Sequence, residues 1–112
     1  QDSMTQLQIG DLIEDHLGRQ SIVLEPARDP HMAWLARQDD ARMRCAAGPW
    51  WNVVALDGGG AVVPSDLAVV LHRATVDDVL TVLNRYTTEQ GLSMLHRLFS
   101  GLMACAGARG RA

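Results

Sequence analysis

Four histidines, two cysteines, three tryptophans and a Gly-rich loop are the residues of this 112-residue chain from which a site could be built. His16, His31, His72 and His96 form no His-x3-His pair, and no cysteine lies within four residues of any of them. Zinc sites take at least two ligands from one element at tight spacing, so neither a metal nor a cofactor is expected. Cys45 and Cys105 each stand among small residues, sixty positions apart. Neither sits at the visible start of a helix, where a thiolate would be stabilised. Both read as reduced thiols packed as small apolar groups. No catalytic residue is assigned, and the balance leans against an enzyme.

Asp57-Gly58-Gly59-Gly60 invites comparison with a phosphate-binding loop. Such a loop must run from a strand into a helix whose N–H groups face the anion. Here Ala61-Val62-Val63-Pro64 follows, a second β-rich run, so the glycines are read as a hairpin turn. Trp34, Trp50 and Trp51 are the main aromatic resource of a chain with one Phe and one Tyr. Together with Arg42 and Arg44 they are the candidate pocket for a small organic ligand or a protein partner, through stacking and cation–π contact. The simpler expectation is that Trp51 points into the core and Trp50 covers a sheet edge or the Trp34 helix.

The elements that would position these groups follow from pattern. A helix is expected over Gln6–Leu17 from Leu7, Ile9, Leu12, Ile13 and Leu17, stopped by Gly18. Ser21–Glu25 reads as a short strand ended by Pro26. Asp29-Pro30 is an N-cap followed by a first-turn proline. It opens a helix to about Met43, with Met32, Trp34, Leu35 and Met43 facing inward. Trp51–Leu56 and Ala61–Val63 form the hairpin. Leu67–Leu71, apolar throughout, reads as a strand buried on both faces rather than a helix. Thr75 caps a helix with Asp77 and Asp78 in its first turn, where the dipole favours them. Val76, Val79, Leu80, Val82, Leu83 and Tyr86 lie on one side of it. Thr87 and Gln90 match a capping box for the last helix, which is expected to run to about Ala106.

That last helix is the most informative segment. Gly91, Met94, Leu98, Gly101 and Cys105 form one row, and Leu92, Leu95, Phe99, Leu102 and Ala106 form a second. Together they cover about 200° of the circumference, against a stripe of roughly 100° for an ordinary surface helix. A single small domain has little interior to surround such a helix. One row is therefore expected to face the sheet. The other, assigned as Gly91, Met94, Leu98, Gly101 and Cys105, would meet a second copy across a twofold axis.

Ten basic residues, all Arg, oppose thirteen acidic ones. The all-Arg, Ala- and Gly-rich composition suggests a GC-rich bacterial coding sequence. A mildly acidic chain lacks the broad basic face that phosphate binding requires. The last two helices superficially resemble a helix-turn-helix. However, the turn has no glycine, and the second helix offers only Arg97 to DNA, so nucleic acid is an unlikely partner. No apolar run reaches the roughly 18 residues of a membrane span. Gln1–Ser3 reads as a processing remnant before Met4, 107–112 as a flexible tail, and the absence of a visible signal peptide as cytoplasmic placement.

The expected architecture is one α+β domain over 4–106. It comprises a small, mostly antiparallel sheet, built from the 51–63 hairpin and one or two further strands. Helices pack on one face, and two of them are C-terminal. The expected function is a non-enzymatic interaction or regulatory module acting as a homodimer. A ligand-binding or catalytic domain at the Trp/Arg cluster and a helix-turn-helix regulator are the alternatives.

Overall fold

The structure is a computed structural model describing residues 7–110, with side chains for all of these except Asp39, Phe99 and 102–110. The first strand, β1 (Asp11–Asp15), turns into β2 (Gln20–Pro26). A long connection carries helices α1 (Pro30–Asp39) and α2 (Ala41–Arg44). Strands β3 (Trp50–Ala55) and β4 (Gly60–Pro64) form the hairpin. A three-residue 3-10 turn, Ser65–Leu67, leads to β5 (Ala68–Arg73). Helices α3 (Val76–Leu83) and α4 (Thr88–Gly110) complete the chain. The strands form one antiparallel sheet in the order β4-β3-β2-β1-β5. The class is α+β, as the sequence implies.

The connectivity dictates that this sheet rolls up. β4 and β5 are its two edges, four strand spacings or about 19 Å apart if the sheet were flat. Only Ser65–Leu67 joins them. A 3-10 turn rises about 2 Å per residue, so the sheet must curl until its edges approach. Two bulges, at Leu12/Ile13 against β5 and at Val23/Glu25 against β3, supply local bends. The roll creates an inside and an outside, and successive residues alternate between them. Ile13, Val23, Val53 and Val63 fill the inside together with Leu7, and Trp51, Ala61 and Ala68 pack against them. Leu12, Ile22, Leu24 and Val54 face outward and are covered by Val82 of α3 and Met94 and Leu98 of α4. The helices thus dress the outer face, while α1 lies against β4.

Several expectations are corrected. Residues 11–15 form a strand, not part of a helix over Gln6–Leu17. Gly10 takes a φ of 91°, and Leu12 and Ile13 are buried on opposite faces. A sheet buried on both sides makes adjacent apolar residues resemble a helical pattern. The second helix breaks at Asp40, whose extended backbone and Oδ1, accepting from Arg42 N, start α2 afresh. Met32, Trp34 and Leu35 are exposed, and Ala33 is the buried residue of that helix. β5 is a strand, but it lies at the edge. Val69, Val70 and Leu71 are exposed rather than covered on both sides. α4 continues to Gly110, past Ala106. The proposed remnant Gln1–Ser3 lies outside the described residues. Both C-terminal helices start as expected. Thr75 and Asp78 form a reciprocal capping box, and the Thr87 hydroxyl accepts from Gln90 N while Gln90 Oε1 accepts from Thr87 N.

Truncating the inner cluster tests this packing. Ile13→Ala should cost about 2–5 kcal/mol in chemical denaturation, because Ile13 is fully enclosed. Leu71→Ala, on the exposed edge, should stay within about 1 kcal/mol.

Candidate functional site

The structure places the three tryptophans and Arg42 and Arg44 on different elements. Trp34 stands 54% exposed on α1, stacked on His31 at 5.8 Å between ring centroids. Trp51 belongs to the inner cluster. Trp50 lies under a guanidinium, but that of Arg37, 5.1 Å from its ring centroid. The indole N–H groups of Trp50 and Trp51 are buried with no hydrogen-bond partner among the described residues. Arg42 and Arg44 are exposed on α2. The five residues are therefore distributed among the rolled core, the α1 surface and α2. Cys45 is exposed rather than packed, and the side chain of Cys105 is outside those described.

The histidines have separate local roles. His16, only 3% exposed in its side chain, donates from Nε2 to Asp40 Oδ2 and ties the β1–β2 turn to the α1–α2 junction. That bond, with the backbone N–H of Arg42, holds the Asp40 carboxyl below its ordinary range. His72 Nδ1 donates to the Arg73 carbonyl. Among the described residues, no group of three or more His, Cys, Asp or Glu is placed to hold a metal ion. The Gly58 loop is a hairpin turn whose carbonyl accepts from the Tyr86 hydroxyl, so its glycines serve the turn.

On α4 the described members of the two rows differ in burial. Met94 and Leu98 are 7% and 5% exposed and lie in the outer-face core. A Cβ at Gly91 would sit 3.2 Å from Leu83, and one at Gly101 would meet Ile9 at 3.0 Å. Gly91, Met94, Leu98 and Gly101, the described members of the row assigned to an intersubunit seam, are therefore turned onto the chain's own fold. Of the opposite row, the described side chains are Leu92, 63% exposed, and Leu95, half-buried. Leu83, Leu92 and Leu95 line a shallow depression between α3 and α4. On α3, Val76 and Leu80, 75% and 50% exposed, extend the same i, i+4, i+7 row to Leu83.

A groove of about 380 Å³ lies between α1 and α4 over the outer face of β3 and β4. Val54 and Val62 form its floor beside Gly60. Met32 stands on the α1 side, and Met94 and Arg97 on the α4 side. At its polar end Arg97 donates from Nε and Nη2 to the two Glu25 oxygens, at 3.3 and 2.8 Å. Asn52 Nδ2 donates to Glu25 Oε2 at 3.1 Å. Arg97, then Asn52, hold the Glu25 carboxyl below its ordinary value of 4.5 against partial desolvation, with Arg28 adding a weaker attraction. Sequence reasoning missed this set. Glu25 and Arg97 are 72 residues apart, and nothing local links them. The one available signal was Asn52, a lone amide inside the apolar run Trp50–Ala55.

No family model, curated protein or solved structure matches this chain, so function is argued from these surfaces.

The Glu25 ion pair gives a pH signature. A carboxyl with a lowered folded pKa stabilises the fold above its unfolded pKa, and that contribution fades as pH falls through the folded value. NMR titration of Arg97→Leu should show the Glu25 pKa returning toward 4.5. The acid-side loss of stability should flatten, by less than about 1 kcal/mol for so exposed a pair.

Proposed function

We propose that the chain is a non-enzymatic interaction module that works as a homodimer through the outward faces of α3 and α4. The observation that carries this is the apolar ridge of Val76, Leu80, Leu83, Leu92 and Leu95, three of whose members are at least half exposed. Large apolar side chains grouped on one face of a monomer mark a surface meant to be covered. A second copy is the simplest cover, because a twofold axis lets one ridge meet its own image. Packing leucine against leucine at about 25 cal/mol per Å² of apolar area supplies the drive, and association entropy offsets much of it. The α4 helix is central to this reading, as its two-row pattern suggests, with Leu92 and Leu95 in the seam rather than Met94 and Leu98.

Sedimentation velocity at micromolar concentration tests the reading. The native chain should sediment as a dimer. Leu92→Glu and Leu80→Glu should each give monomers with unchanged far-UV circular dichroism, because both side chains are exposed. A native monomer, or a dimer indifferent to both substitutions, would overturn it.

A further inference from the structure

The groove between α1 and α4 has a chemical asymmetry. Its floor is hydrocarbon, Val54 and Val62, and the flexible thioethers of Met32 and Met94 flank it. Gly60 pairs with Val54 across the β3–β4 ladder, so a side chain there would rise from the same face. A Cβ built at Gly60 meets nothing within 4 Å. The sheet floor is thus left uncovered at this point. The groove's volume falls within the range of small-molecule sites, roughly 300–1,000 Å³.

Its polar end is rich in donors. A guanidinium carries five N–H groups, and Arg97 uses two of them on Glu25, leaving three without a partner among the described residues. Asn52 uses one of its two amide hydrogens on Glu25, leaving one beside its own carbonyl oxygen. Both Glu25 oxygens already accept from Arg97, and Oε2 also from Asn52. Arg97 and Asn52 both line the groove, so their remaining N–H groups are the donors at this end. Tyr86 also lines the groove, its hydroxyl already donating to the Gly58 carbonyl.

Hydrocarbon floor and a donor-rich end that includes the Arg97 guanidinium together point to an occupant with an apolar body and one anionic acceptor group. We propose that this groove binds a small amphipathic monocarboxylate. Its hydrocarbon part rests on Val54 and Val62 between the two methionines, and its carboxylate accepts from the remaining N–H groups of Arg97 and Asn52. This site is separate from the α3–α4 ridge and does not depend on dimerisation.

The test is a two-dimensional NMR titration of the full chain with octanoate and, in parallel, with octanamide, its neutral counterpart. Octanoate should give saturable shifts at the Met32 and Met94 methyls and the Asn52 side-chain amide, with affinity about tenfold above that of octanamide, as expected for a charge-assisted contact. Arg97→Gln should erase that difference by weakening octanoate alone. Gly60→Leu, placed where the structure has room, should abolish binding of both compounds while the amide spectrum stays folded. Equal affinity of acid and amide for the native chain, absence of saturable shifts, or binding that survives Gly60→Leu would each overturn the proposal. The comparison on the native chain needs no substitution, so the outcome does not hinge on how any variant folds.

Discussion

Three residues, Ser65–Leu67, join the two edges of a five-stranded sheet, and every other feature of the molecule follows from that short reach. The edges must approach, so the sheet rolls. Rolling gives it an enclosed inner face, filled by Ile13, Val23, Val53 and Val63, and a convex outer face that still carries Leu12, Ile22, Leu24 and Val54. A chain of this size cannot leave that second apolar face in water. The C-terminal helices meet the need, with Val82, Met94 and Leu98 placed over it.

The cover is incomplete in two places, and these are where function is proposed. α4 crosses β2 and leaves β3 and β4 open toward α1, which produces the groove with Arg97 and Glu25 at its rim. α3 and α4 also carry apolar residues on the sides turned away from the sheet. Met94 and Leu98 of α4 are used within the chain, and the exposed Leu92 is proposed to serve a partner. The amphipathic surplus that distinguishes α4 in the sequence is thus divided between folding and the proposed assembly.

Legibility from sequence divides along physical lines. Helix starts were readable because capping is local: Asp29, Thr75 and Thr87 each bond a backbone N–H two or three residues on. The hairpin was readable because Asp57 and its glycines sit between two β-branched runs. β1 was not, since a strand buried on both faces loses the period-two alternation and leaves only an apolar cluster. The reversed exposure of α1, with Trp34 and Leu35 outward and Ala33 inward, was equally hidden. It depends on how a long connection settles against β4. The candidate ligand site was the least legible part, because Glu25, Asn52 and Arg97 come from three distant elements and meet only through the fold. The tryptophans, by contrast, were conspicuous in the sequence; Trp51 lies inside the roll, Trp50 beneath Arg37 and Trp34 on the exposed face of α1.

The closure of the sheet is most directly tested by methyl nuclear Overhauser contacts within the inner cluster. On a flat sheet Val63 of β4 and Ile13 of β1 would be separated by about 14 Å, too far for any cross-peak. The rolled structure predicts cross-peaks linking Val63 to Ile13 or to Ala68 of β5. A Val63 methyl whose contacts stop at its neighbours on β3 would contradict it.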